Sequence, residues 1–361
     1  MFYFINSILY FIRFVLFEKK TDVIFYYPQH FNRGNDGENL YFDHLYNSCV
    51  KYNLNYLIFE EPSKSTKFIR RNKPFDFIFY IVIILRKLRF SDRKIGSLLS
   101  KSILRGLHTR NIVVLSQSMV EFFRGLFPES NIYDVQHGII HSKKENYFLN
   151  EAADPKLIDN NVKLIVNGKG IYELLVSSDK TNYFSENIYY IGIPNTKFDI
   201  FHVKSNNKIL VTLQFTSDHT YTQNITLLNE LKNFIVNYGD FTFYLKNHPR
   251  FKNEVNLDDI MNLVNVKTAP NNIIECLKIC SIHLTSYSTS TFEAALCGVP
   301  TIFLNSLSEK FSMFSNDYKL DTQIKLLEMN KDYLNFSKKY IQWAKTYISD
   351  YDEKKFISLL R

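Results

Sequence analysis

Between residues 284 and 304 the chain reads LTSYSTSTFEAALCGVPTIFL, with Thr285, Ser286, Ser288, Thr289, Ser290 and Thr291 gathered ahead of a helix-forming run. Serine and threonine suit helix N-termini because their oxygens accept from first-turn N–H groups. The same N–H groups, together with the helix dipole, attract phosphate. An ordinary capped helix has the same composition, so the segment alone does not decide between the two. Two other polar clusters carry chemistry: Gln136-His137-Gly138 and His248-Pro249-Arg250, with Lys246 just upstream of the second. An unperturbed imidazole titrates near pH ~6.5 and can move a proton near neutrality. A lone histidine is nevertheless more often structural than catalytic. Gly138 lets a substrate approach the backbone closely, and the proline after His248 favours extended backbone at the histidine.

The elements that must position these clusters follow from hydrophobic patterning. Apolar runs at 21–27, 56–60, 111–115, 163–167, 188–191, 208–215, 241–250, 264–268, 282–285 and 301–304 read as strands. The run from 131 reads as a strand ending in Gln136-His137-Gly138. Helical periodicity fits residues up to 52, 119–126, 223–238, 271–280 and the stretch around Glu293, with Gly298 and Pro300 ending the last. Alternation of this kind predicts parallel sheets covered by helices. All three polar clusters then fall at strand ends, which in such sheets point at the ligand crevice. The loop after the first strand, with Arg33, Asp36 and Glu38 among glycines, lies at such an end too. A surface turn reads the same way.

The chain has 361 residues, 45% of them hydrophobic and 22% charged, which predicts a folded protein of two domains. A break at 190–199 places the boundary, giving domains at 1–195 and 196–361, with C-terminal helices free to cross back. The net charge of +8 suits anionic partners. No nucleic-acid motif is present, and nucleic acid is not expected as a partner. Cys49, Cys276, Cys280 and Cys297 read as buried free thiols, and no ligand set for a metal is expected. Residues 1–17 are apolar but interrupted by Asn6, Ser7 and Arg13, and no small-residue cleavage site follows. They fit an interfacial helix or a core helix better than a span. Residues 75–90 form a second apolar stretch with a basic end, either a buried helix or a patch for an anionic membrane surface. The expected location is cytoplasmic, peripheral to the inner membrane.

Several signatures are missing: the P-loop pattern, G-x-G-x-x-G after the first strand, G-x-S-x-G and H-E-x-x-H. The order QHG, GIPNTKFD, KNHP and SYSTSTFEAALCGVP resembles bacterial GT-B glycosyltransferases of surface-polysaccharide assembly. It is similar in particular to capsule-type sialyl and Kdo transferases and to CDP-glycerol polyol-phosphate transferases. The resemblance covers residues from about 133 to 304. It implies two Rossmann-like domains facing across a cleft, and no cofactor beyond a nucleotide-activated co-substrate, of CMP or CDP type. It further implies a glycan or lipid-linked acceptor. Carried onto this sequence, His248 contacts or protonates the departing phosphate. Lys246, Ser286, Ser288, Thr289, Ser290 and Thr291 bind the donor, with Glu293 near the ribose. His137 deprotonates the acceptor hydroxyl or positions the transferred group, with Gln136, Gly138, Arg33, Asp36 and Glu38 on the acceptor side. Asp134 and the Asp36/Glu38 loop are alternative bases.

Overall fold

The computed structural model describes residues 7–9, 11–12, 21–32, 34, 36–63, 69, 71–72, 75–194, 198–248, 251–304 and 308–361. Arg33, Pro249 and Arg250, and most of the segment 1–17, lie outside them. The chain divides into two compact units: one of Met1–Asn167, Ile171–Pro194 and Asp350–Arg361, the other of Gly168–Gly170 and Asn195–Ser349.

The first unit holds β1 (Val23–Pro28), β2 (Tyr56–Glu61), β3 (Asn111–Leu115), β4 (Asn131–Val135), the short antiparallel pair β5 (Phe148–Leu149) and β6 (Ala152–Ala153), β7 (Val162–Val166) and β8 (Ile188–Tyr190). Six of these form a parallel sheet in the order β2-β1-β3-β4-β7-β8. β1 and β3 are apolar along nearly their whole length and buried on both faces, as central strands of a parallel sheet must be. On one face Val23, Phe25, Tyr27, Val113, Tyr133 and Val135 pack against Phe356, Ile357 and Leu360 of the last helix, Glu353–Leu360. That helix's final carbonyls have no partner within the helix. Asn111 Nδ2 donates to Leu360 O at 2.7 Å and Tyr133 Oη to Leu359 O at 2.8 Å.

The second unit holds β9 (Lys208–Thr212), β10 (Thr242–Lys246), β11 (Val266–Thr268), β12 (Ile282–Thr285) and β13 (Thr301–Phe303), parallel in the order β11-β10-β9-β12-β13. β9 ends at Thr212 rather than at 215, and β11 starts at Val266 because Val264 is turned out to solvent. Chain order runs from β9 outward through β10 to β11, then returns to β9's other side with β12. The switch point of the sheet therefore lies between the ends of β9 and β12, where open α/β sheets take their ligands. Cys49, Cys276, Cys280 and Cys297 are all buried thiols.

Candidate functional site

At the switch point of the second unit, β12 runs into the hydroxyl-rich loop and then the helix Ser290–Leu296. The helix ends in a turn that needs glycine. Gly298 has φ +73°, Gly298 N donates to Ala295 O at 2.9 Å, and Val299 N donates to Ala294 O at 2.8 Å. Tyr333 Oη and Tyr340 Oη, from the helix Tyr333–Tyr347, donate to Gly298 O and Thr301 O. The unit that presents the hydroxyls is thus braced from behind.

The loop does not cap the helix as the sequence suggests. Thr289 occupies the N-cap position with helical backbone angles and its side chain caps nothing; Ser288 Oγ takes the Ser290 N–H at 3.2 Å. Below it lies a buried polar cluster. Thr212 Oγ1 stands 2.9 Å from His283 Nε2, 2.9 Å from Thr285 Oγ1 and 3.1 Å from Ser290 Oγ. His283 Nδ1 meets Thr301 Oγ1 at 2.9 Å, and Ser290 Oγ donates to Ser288 Oγ at 2.7 Å. Sheet register explains the cluster: Leu210, His283 and Thr301 are lateral neighbours, so Thr212 and Thr285, two residues on, share their face. Burial pushes the His283 imidazole down to about 3, so it is neutral. Two hydroxyls stand apart from this network: Ser286 Oγ and Thr291 Oγ1 are buried and have no hydrogen-bond partner. A buried unsatisfied hydroxyl costs about 1–3 kcal/mol, and an acceptor on a bound ligand offsets that cost.

The remaining donor-side residues are placed as follows. Ser290 spends its hydroxyl on Ser288, Thr289 is exposed, and Glu293 lies on the exposed side of the helix. Lys246, at the end of β10, gives its ammonium to the carbonyls of Pro270 and Asn271, so its charge braces the chain after β11. His248 is half-buried two residues beyond β10, and its carbonyl accepts from Phe251 N at 2.9 Å. The loop after β9 brings a histidine that the sequence reading passed over. His219 is buried, with Nδ1 3.2 Å from Asn224 Oδ1 and Nε2 bonded to Tyr287 Oη. Asn224 Nδ2 donates to Thr216 O, so Oδ1 accepts from His219 and Tyr287 donates to the other ring nitrogen. This latches the 213–220 loop onto the hydroxyl-rich loop. A cavity of about 310 Å³ in the same unit, lined by Ser205, Asn207, Asn330 and Tyr333, lies on the chain before β9, away from these strand ends.

In the first unit, Gln136-His137-Gly138 follows β4 directly. Gln136 is absorbed by the scaffold: its Nε2 donates to Gly138 O and its Oε1 accepts from Asn167 N at 2.9 Å. His137 is half-buried and stands edge-on to Phe31, ring centroids 5.7 Å apart at 86°. Gly138 has φ +73° and open space where a Cβ would point. Asp36 is exposed at the tip of the loop closed by the Asn32–Asn39 bridge, and Glu38 is half-buried in it. Asp134 is not an accessible base. It is 1% exposed, and Oδ1 accepts from Gln117 N at 2.8 Å. That bond secures a turn in which Ser116, Gln117 and Met119 all have φ between +52° and +70°. Such backbone is uncommon for non-glycine residues. Burial pushes the Asp134 carboxyl up to about 7. Among the described residues no group of three His, Cys, Asp or Glu side chains is gathered as metal ligands.

No family model and no curated protein sequence matches the chain. Solved structures do match in fold. A histidine variant of the wall teichoic acid polymerase TagF superposes with TM-score 0.53 at 13% identity, covering 99% of this chain and 96% of that one. The S. aureus MnaA–UDP co-structure gives TM-score 0.53 at 13% identity, with 95% of each chain covered. TagF soaked with CDPG gives 0.51 at 13% identity, over 99% of this chain and 96% of that one. At this identity the likeness is one of fold: two Rossmann-like parallel α/β units, as in GT-B enzymes.

Proposed function

We propose that the chain is a nucleotide-sugar-dependent glycosyltransferase of bacterial surface-polysaccharide assembly. One observation carries the reading: Ser286 and Thr291 hold buried hydroxyls without partners at the switch point between β9 and β12. A donor phosphate supplies the acceptors they lack, and structural neighbours solved with UDP and with CDPG share the fold. Ser286, Ser288 and Thr291 then hydrogen-bond the phosphate. The acceptor hydroxyl attacks the anomeric carbon and the bond from that carbon to the phosphate oxygen breaks. His137 takes the hydroxyl proton, and the leaving phosphate, which keeps the bonding pair, is stabilised or protonated by His248. The donor is a CMP- or CDP-activated species, with an acidic sugar the favoured cargo. Thr289 serves the donor phosphate, Glu293 the ribose, and Asp36 and Glu38 the acceptor side.

The similarity to TagF favours a second reading on the same site, transfer of a polyol phosphate from a CDP-polyol. Product mass separates them: a bare glycosyl addition supports the first, an added phosphodiester the second. In either case His248→Ala and His137→Ala should each lower kcat by about 10²–10⁴-fold while the protein stays folded. If both variants turn over donor at the wild-type rate, the histidine roles assigned here are wrong.

A further inference from the structure

The buried cluster under the hydroxyl-rich loop has a direction that follows from counting protons. Thr285 donates its hydroxyl proton to Thr212 O at 3.1 Å, and Thr212 donates its own to Thr285 Oγ1 at 2.9 Å. Ser290 donates to Ser288 Oγ at 2.7 Å. Thr212 Oγ1 and Ser290 Oγ, 3.1 Å apart, have therefore both given their protons away, and both face His283 Nε2, at 2.9 and 3.3 Å. Only an N–H at Nε2 satisfies that pair. A neutral imidazole carries a single ring proton, so Nδ1 is the acceptor and takes the Thr301 hydroxyl at 2.9 Å.

The consequence reaches the loop surface. Ser288 Oγ already accepts twice, from the Ser290 hydroxyl and from Ser290 N at 3.2 Å. A hydroxyl has two lone pairs and one proton, so half-exposed Ser288 is left with its proton alone. With the proton on Nδ1 instead, the Nε2 lone pair would take a proton from Thr212 at 2.9 Å, which would cost Thr285 Oγ1 its donor, or from Ser290 at 3.3 Å, which would cost Ser288 its donor. The second case reverses the loop. Ser288 would then turn its own proton inward and face outward as an acceptor.

We propose that His283 is a positioning residue: held as the Nε2–H tautomer, it sets the hydroxyl chain so that Ser288 meets the ligand only as a hydrogen-bond donor. It thereby favours an anionic phosphoryl oxygen over a sugar hydroxyl that must itself donate. The inference rests on reading this site as the nucleotide site. Two further buried hydroxyls, on Ser286 and Thr291, lack partners beside the same loop, as a site built from donors requires.

The test has two arms on the full chain. Long-range proton–nitrogen correlations of the ring-labelled protein, with His283 identified by its loss in His283→Gln, report the tautomer without any ligand. A pyrrole-type shift at Nε2 and a pyridine-type shift at Nδ1 are expected, and the reverse assignment overturns the proposal. The second arm is CDP affinity by calorimetry. Ser288→Ala and His283→Leu should each weaken CDP about tenfold, the size of one bond to a charged group. The double variant should be no worse than either single one, and His283→Gln, with an amide N–H near the Nε2 position, should recover most of the loss. Multiplicative losses, or CDP binding indifferent to Ser288→Ala, overturn it. Should CDP, CMP and UDP all fail to bind the wild-type protein, the nucleotide reading falls, and the ring-nitrogen shifts still decide the direction of the relay.

Discussion

Ser286 and Thr291 keep hydroxyls where water does not reach and nothing accepts them, a cost that the unliganded fold bears and that, under the proposed function, a bound phosphate would relieve. Thr291→Val should therefore raise the melting temperature of the unliganded protein, by the equivalent of about 1 kcal/mol, while shrinking the shift that CDP produces. A melting temperature that falls in the unliganded variant contradicts the account of these hydroxyls. Asp134 makes a pH prediction of the opposite flavour, in which no ligand takes part. Its carboxyl is raised by burial to about 7, against about 3.9 in an unfolded chain, so the folded state holds the proton more tightly. That contribution is full below about pH 4 and is lost as pH rises through about 7. Asp134→Asn, which still offers an oxygen to Gln117 N, should be flatter than wild type in urea-unfolding stability across that window. Equal slopes for the two proteins would remove Asp134 as the source.

The elements carrying the site were legible where burial is continuous and obscure where partners are distant in sequence. β1, β3, β9 and β12 announce themselves as apolar runs because both faces are covered. The three polar clusters at strand ends follow from the same pattern. His283 escaped notice because it sits inside such a run, and only the register against Leu210 and Thr301 shows what it touches. The helix Asp92–Lys101 carries its signals locally: Ser91 caps it through Lys94 N, and Ile95 and Leu99 form its buried stripe. No local signal tells that Phe356 packs with Phe25. The same helix supplies an element-scale test. A Cβ on Gly96 would stand 2.1 Å from Phe122 O, and one on Gly125 would stand 2.0 Å from Arg93 O. Helices Asp92–Lys101 and Val120–Leu126 therefore cross backbone to backbone. Gly96→Ala and Gly125→Ala should each destabilise the first unit by about 3 kcal/mol, read as a lower urea midpoint at unchanged m-value. Wild-type midpoints would show that the two helices can separate at little cost.

For the molecule as a whole, charge and exposed apolar surface make the proposed peripheral-membrane location testable. The chain carries +8, and the helix Asp76–Lys87 and its flank expose Ile83, Ile84 and Leu88 beside Arg86, Lys87 and Arg89. Phe11 packs on Phe77 of that helix with ring centroids 5.6 Å apart, while Leu9 and Ile12 face solvent. Among the described residues no helix is long and apolar enough to cross a membrane. Apolar side chains ringed by basic ones suit the surface of an anionic bilayer, where a lipid-linked acceptor would be found. Co-sedimentation with vesicles containing phosphatidylglycerol should fall with salt and fall several-fold in Ile84→Asp; sedimentation unchanged by either would place the acceptor elsewhere. The proposed function requires, above all, that the hydroxyl-rich loop bind a nucleotide's phosphate. Thermal shift with CMP, CDP, UDP and GDP, each beside its phosphate-free nucleoside, measures that directly. At least one cytidine nucleotide should stabilise the wild-type protein, its nucleoside should not, and Thr291→Val should abolish most of the shift. No shift with any of the four nucleotides, or a shift that Thr291→Val leaves intact, would contradict it.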